Sequence, residues 1–143
     1  MVCKKAFEPL IRPGLHKNAV LLGTGGASKA VRQVFEEMNI PWKYVSRTGS
    51  DERFTYNEID EAVLLEHKIV VNCSPIGTFP KDEECPDIPY RFLTHEHLLY
   101  DLIYNPSETL FLKKGKTQGA TIKNGAEMLE LQALAAWEIW SKQ

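Results

Sequence analysis

Apolar and polar positions along this chain follow two periods in turn, and the switches between them lay out a repeating strand–helix pattern. Residues 19–22 form a short apolar run that ends at Gly23. Over residues 27–38 the apolar positions are Ala27, Ala30, Val31, Val34, Phe35 and Met38. Those offsets of three and four put one face of a helix in the core. Asn39 and Pro41 end that helix. Residues 42–46, Trp-Lys-Tyr-Val-Ser, alternate and predict a second strand. A further short strand is expected over 54–56, then a helix over 58–66 capped by Asn57 that buries Ile59, Ala62, Val63 and Leu65.

The second half repeats the theme. Residues 68–72 read as a strand buried on both faces, as in a parallel sheet. Pro80, Pro86 and Pro89 make 78–97 rich in loops, with a short helix near 90–93. Strands are expected over 98–103 and 119–123, with a brief helix over 109–114 between them. A long helix over 125–141 closes the chain. At helical spacing its Glu127, Glu130, Glu138 and Ser141 share a wet face, whereas Gln132 falls on the other side among Met128, Leu131, Ala135 and Ile139. An amide on that side needs partners, either the backbone of the fold or a ligand or second domain. The alternation of strands and helices predicts an α/β fold, a Rossmann-like doubly wound parallel sheet in three α/β/α layers. Residues 1–17, broken by Pro9, Pro13 and Gly14, read as a lead-in from a domain boundary, and 18–143 as a dinucleotide-binding domain.

The chemistry gathers where strands end. After the first strand, Gly23-Thr24-Gly25-Gly26-Ala27-Ser28 opens directly into a helix. Glycines there permit a tight turn and let backbone N–H groups reach a pyrophosphate, with the positive end of the helix dipole behind them. Ser28 stands at the third glycine position of the Gly-x-Gly-x-x-Gly pattern, so the match rests on its strand–turn–helix context. At the end of the second strand, where NAD-binding folds carry a carboxylate for the ribose hydroxyls, lies Arg47 between Ser46 and Thr48, with no carboxylate before Asp51. A guanidinium suits a 2′-phosphate, so this turn favours NADP over NAD. The strand over 68–72 runs into Cys73-Ser74-Pro75-Ile76-Gly77, another loop at a strand's carboxyl end. Asp101 also sits at a strand end, where it serves either structure or the cleft.

Composition narrows the classes. The chain has 143 residues, 43% hydrophobic and 25% charged, with a formal net charge of −2. It lacks the basic excess of a general nucleic-acid or membrane-surface binder. No apolar run approaches a membrane span, and the start of the chain is no signal peptide, so a cytoplasmic setting is expected. Cys3, Cys73 and Cys85 are too scattered for a disulfide framework. Cys85, His95 and His97 fit no common zinc spacing, so no metal is expected.

Five motifs in order resemble the C-terminal cofactor domain of shikimate dehydrogenase. The family's Gly-Ala-Gly-Gly-Ala-Ser loop corresponds to residues 23–28, and its Asn-Arg-Thr to Ser46-Arg47-Thr48. Its Asn-Ala-Thr-Pro-x-Gly-Met corresponds to Asn72-Cys73-Ser74-Pro75-Ile76-Gly77-Thr78. Its Asp-x-x-Tyr-Asn-Pro and Gly-x-x-Met-Leu-x-x-Gln correspond to residues 101–106 and to Gly125 through Gln132. The resemblance implies a cofactor surface made of residues 23–28, 46–48 and 72–76 with Gly125 and Met128, Gly125 beside the nicotinamide. It also implies that Tyr104 and Gln132 face shikimate. The implied reaction is reversible reduction of 3-dehydroshikimate by NADPH. Ser46 and Thr78 depart from the family pattern, and the second basic residue usual after Arg47 is Asp51 here, with Arg53 nearest.

Ketone reduction also needs a proton donor. The family's lysine–aspartate pair belongs to its N-terminal domain, which nothing here matches, and none of the five tyrosines has a lysine four residues on. The chain alone is therefore expected to hold cofactor without turning over substrate, and to share shikimate with a missing domain. Its uncovered apolar surface would also allow an oligomer. Two alternatives stay open: a cofactor domain of a quinate/shikimate dehydrogenase or a glutamyl-tRNA reductase, and a free-standing NADP-binding module without catalysis.

Overall fold

The computed structural model describes residues 7–12, 14–23, 25–47 and 53–130. Its strands are β1 (Ala19–Leu22), β2 (Trp42–Ser46), β3 (Arg53–Thr55), β4 (Ile69–Asn72), β5 (Leu98–Asp101) and β6 (Thr121–Lys123). Its helices are α1 (Gly26–Glu37), α2 (Glu61–Glu66) and α3 (Leu110–Thr117), and residues 126–130 begin a fourth, α4. The strands form one sheet in the order β3-β2-β1-β4-β5-β6, and every neighbouring pair is parallel. This is the doubly wound topology expected, with the strand order reversing between β1 and β4.

Both faces of the sheet are covered, which is why β1, β4 and β5 are buried at every position. Alternation sorts their residues between two cores. Ala19, Leu21, Ile69, Val71, Leu98 and Tyr100 pack with Val31, Val34 and Phe35 of α1. Val20, Leu22, Val70 and Leu99 pack with Leu64 of α2 and with Phe111 and Leu112 of α3. The segment before β1 belongs to the first core: Phe7 is fully buried, stacked on Tyr100 at 4.3 Å and edge-on to Phe35 at 5.2 Å.

Several boundaries differ from expectation for local reasons. Asn57 does not cap a helix over 58–66; it lies in a 3₁₀ turn, Tyr56–Glu58, fastened by a capping box between Thr55 and Glu58. Asp60 caps the shorter α2, its Oδ1 accepting from Val63 N–H at 3.0 Å. In this helix Leu64 is the residue that faces the core, while Ala62 is exposed and Leu65 is 63% exposed. Strand β5 stops at Asp101 because Ile103 N–H bonds that carboxylate. Helix α3 runs on to Thr117 because Gly115 lets it press against Leu99, where an added Cβ would come within 2.4 Å of Cδ2. Gly119, at φ +89°, ends that helix, so β6 starts only at Thr121. The expectations for residues 131–141, Gln132 included, lie outside the described residues.

At the amino-terminal ends of the strands, two buried histidines are held neutral. His16 Nδ1 accepts from Arg12 N–H at 2.9 Å, and Nε2 lies 3.0 Å from the Glu96 carbonyl, to which it must donate. His97 Nδ1 accepts from Thr94 N–H at 3.0 Å, and Nε2 donates to the Leu64 carbonyl at 2.7 Å. Both ring nitrogens of His97 are therefore engaged in the fold. Burial is the chief cause that lowers both pKa values from the ordinary 6.5, and Lys68 adds to it. Above pH 6.5 both rings are neutral folded or unfolded, and stability is flat in this respect. Below 6.5 the unfolded chain takes up protons that the folded chain refuses, so stability falls with pH by up to about 1.4 kcal/mol per unit for each ring. Thermal unfolding from pH 8 to 5.5 should show Tm level above 6.5 and declining below it, with a shallower decline in His97→Gln. A Tm independent of pH across that window would refute the assignment.

Candidate functional site

The site is built on the carboxyl ends of β1, β2 and β4, where open α/β sheets bind ligands. Strand β1 delivers the chain into Gly23, whose N–H bonds the Val45 carbonyl at 2.8 Å and whose φ is +102°. A Cβ there would stand 3.2 Å from both Cβ and N of Ser74, so glycine at this position lets β1 lie against the loop after β4. Gly25 and Gly26 are different. Gly25 has an ordinary extended conformation (φ −71°, ψ −174°), and a Cβ on either residue would meet nothing within 4 Å. Nothing inside the fold requires glycine there. Bare backbone exposed at the start of α1 is what an anion approaching the helix dipole needs.

Two clefts flank this turn. The first, about 390 Å³, is lined by Gly23, Ser46, Arg47, Ser74, Pro75 and Ile76, together with Arg53 and Tyr56. Its charged lining is two guanidinium groups, with no carboxylate among the described residues. The Tyr56 phenol has its pKa raised by burial, against the lowering pull of Arg47. The second cleft, about 200 Å³, is apolar and is lined by Ala27, Tyr104, Gly125 and Met128 with Leu102 and Leu129 among others. The glycine turn thus contributes Gly23 to a basic cleft and Ala27 to an apolar one.

Other expected site residues shape the walls from behind. Ser28 is fully buried, and its hydroxyl donates to the Gly25 carbonyl at 2.5 Å, closing the turn. Asn72 is fully buried beneath the loop that carries Ser74. The Cys73 side chain lies in the first core, its thiol near the Val71 carbonyl and its pKa pushed up to about 12 by burial. Gly125 is also required by the fold itself, since a Cβ would fall within 2.0 Å of the Leu102 carbonyl oxygen. Thr24, Thr48 and Gln132 lie outside the described residues. Among the described residues no cluster of three His, Cys, Asp or Glu side chains could hold a metal, and no helix is long and apolar enough to cross a membrane.

No protein-family model matches the chain. Whole proteins do. A shikimate dehydrogenase (NADP(+)) from Clostridium beijerinckii is 37% identical over 131 residues, covering 87% of this chain and 48% of that protein. A chorismate mutase/shikimate 5-dehydrogenase fusion protein from Clostridium acetobutylicum superposes with a TM-score of 0.81 at 33% identity, over 99% of this chain and 52% of the other. A shikimate dehydrogenase solved in complex with NADP+ gives a TM-score of 0.76 at 28% identity, over 99% of this chain and 55% of the other. The chain is similar in sequence and fold to one half of these shikimate dehydrogenases. It spans about half the length of the curated relatives it matches.

Of the residues that sequence reasoning placed together, Gly23, Ser46, Arg47, Ser74, Pro75 and Ile76 line the first cleft, and Ala27, Tyr104, Gly125 and Met128 line the second. Arg53 entered only as a neighbour of the missing second basic residue; the structure puts it on the cleft wall. Tyr56 was overlooked. Its only signal was a position at the end of a short expected strand, and no pattern tells a strand-end tyrosine in a cleft from one on the surface. The two kinds of glycine in the turn should behave differently. Gly23→Ala should lower stability by about 1–2 kcal/mol, because an L residue is strained at positive φ and its Cβ would crowd Ser74. Gly25→Ala should stay within about 0.5 kcal/mol of the parent. Thermal melts compare them, and equal losses would show that the fold also needs the glycine at 25.

Proposed function

We propose that this chain is the NADP-binding half of a shikimate dehydrogenase. The observation that carries the reading is the pair of clefts on either side of an exposed glycine turn, one walled by Arg47 and Arg53 and the other by apolar side chains. A dinucleotide has that two-ended form: a phosphorylated adenosine, a flatter and less charged nicotinamide, and a pyrophosphate between. The N–H groups at the start of α1 would take the pyrophosphate. Arg47 and Arg53 would take a 2′-phosphate through charge-assisted hydrogen bonds. Leu102 and Met128 would wall the nicotinamide and exclude water, with Tyr104, 54% exposed, at the rim toward substrate.

When bound, NADPH supplies the hydride. The chain's own residues hold and orient the cofactor. Among the described residues neither cleft contains a lysine–aspartate pair to deliver a proton to a ketone. In this reading a second domain contributes that pair, the complete enzyme interconverts 3-dehydroshikimate and shikimate in the cytoplasm, and the half described here is inactive alone.

A fluorescence titration of the chain with NADPH and, in parallel, with NADH tests the cofactor half of the proposal. NADPH should bind preferentially. Arg47→Ala should weaken NADPH on the order of tenfold, the scale of a charged hydrogen bond, and leave NADH nearly unchanged. Equal binding of the two cofactors would remove the 2′-phosphate role. Joined to a shikimate dehydrogenase substrate domain, the chain should oxidise shikimate with NADP; failure of a folded, cofactor-binding fusion would remove the substrate assignment.

A further inference from the structure

Behind the basic cleft lies a buried polar chain that the glycine turn and the arginines do not explain. Asp101 is fully buried at the end of β5, in register with Asn72 at the end of β4. Its Oδ1 accepts from Ile103 N–H at 3.0 Å and from Asn72 Nδ2 at 3.2 Å, and its Oδ2 accepts from the Thr109 hydroxyl at 2.6 Å. That hydroxyl itself accepts from Leu112 N–H at 3.3 Å, capping α3, so its proton is directed at the carboxylate. Every group around Asp101 is therefore a donor, and a side chain that only accepts answers all of them.

The other end of the chain reaches the cleft. Asn72 Nδ2 also donates to the Ile76 carbonyl at 3.2 Å, while Oδ1 accepts from Ser74 N–H at 3.1 Å and from the Ser74 hydroxyl at 2.6 Å. The Ser74 oxygen in turn accepts from Ile76 N–H at 3.3 Å. An amide can present its oxygen and nitrogen either way round. With two acceptors on one side, the Asp101 carboxylate and the Ile76 carbonyl, Asn72 turns its NH2 toward them and its oxygen faces Ser74. We infer that Asp101 is a positioning residue of the cofactor cleft: its buried carboxylate fixes the orientation of the Asn72 amide, and through it the Ser74–Ile76 loop. Asp101 is absent from the lining of the basic cleft, whereas Ser74 and Ile76 form part of it. The residue acts through others.

The near-isosteric Asp101→Asn variant tests this. Its oxygen would stay with Ile103 N–H and Asn72, and its NH2 would face the Thr109 hydroxyl, which can turn to accept; the neutral oxygen left facing Asn72 holds that amide less firmly than the carboxylate does. Hydrogen exchange read by NMR, without cofactor, should show the Ser74 and Ile76 amides exchanging about tenfold faster, with those of Leu21 and Leu22 in β1 unchanged. In the unsubstituted protein the Asn72 side-chain NH2 protons should be protected from exchange, a readout that holds even if the variant does not fold. Unchanged Ser74 and Ile76 exchange in folded Asp101→Asn, or free exchange of the Asn72 NH2, would overturn the inference. NADPH affinity of Asp101→Asn should also fall about tenfold. That measurement alone rests on the proposed cofactor: if the parent protein ignores NADPH, the functional reading fails and the exchange data still judge Asp101.

Discussion

The approach of β1 to the loop after β4 is the constraint on which this molecule depends. The sheet grows outward in both directions from that pair, and the crevice at its carboxyl edge exists because the chain leaves β1 on one side and β4 on the other. Gly23 makes the approach possible. Its bare Cα faces Ser74 where a Cβ would be crowded at 3.2 Å, while its N–H keeps the end of β1 tied to β2 through Val45. Move β1 away by the width of a methyl group, and α1 no longer begins beside the Ser74–Ile76 wall. The turn, the helix start and the basic cleft are one geometric unit.

How much of this was legible in the sequence follows from whether the cause is local. The four-residue strand Ala19–Leu22, the glycine turn and α1 could be read because period and glycine content are local properties. Arg47 could be read because it follows directly from the end of β2. Asn57 and Asp60 are both good capping residues, and three residues apart they predict different helix faces; packing of Leu64 against the sheet chose between them. Gly125 was placed beside the nicotinamide by resemblance, and what no local pattern encodes is the fold's own demand for glycine there, since the Leu102 carbonyl leaves no room for a Cβ. Arg53 and Tyr56 reach the cleft because β3 lies beside β2, a pairing that no local pattern encodes. Asp101 was ambiguous for the same reason, since its partners Asn72 and Thr109 meet it only once β4, β5 and α3 are assembled.

The two edges of the sheet use buried polar groups to opposite ends. At the amino-terminal edge, the histidine rings at 16 and 97 meet backbone groups inside the protein, and the Lys68–Glu96 pair at 2.7 Å lies beside them. Those bonds run between the lead-in, α2 and the segment before β5, so they fasten connections. At the carboxyl edge the bonds pass from α3 through Asp101 and Asn72 to the Ser74–Ile76 loop, and end on a cleft wall. A buried polar group is costly unless matched, and both sets are matched. The difference lies in what the last member of each set faces: at one edge the peptide backbone of the same fold, at the other a cleft of about 390 Å³ bordered by two arginines. A polar chain that ends at such a cleft holds the wall a ligand would meet. That division separates the edge whose two buried rings resist protonation from the edge that borders the basic cleft.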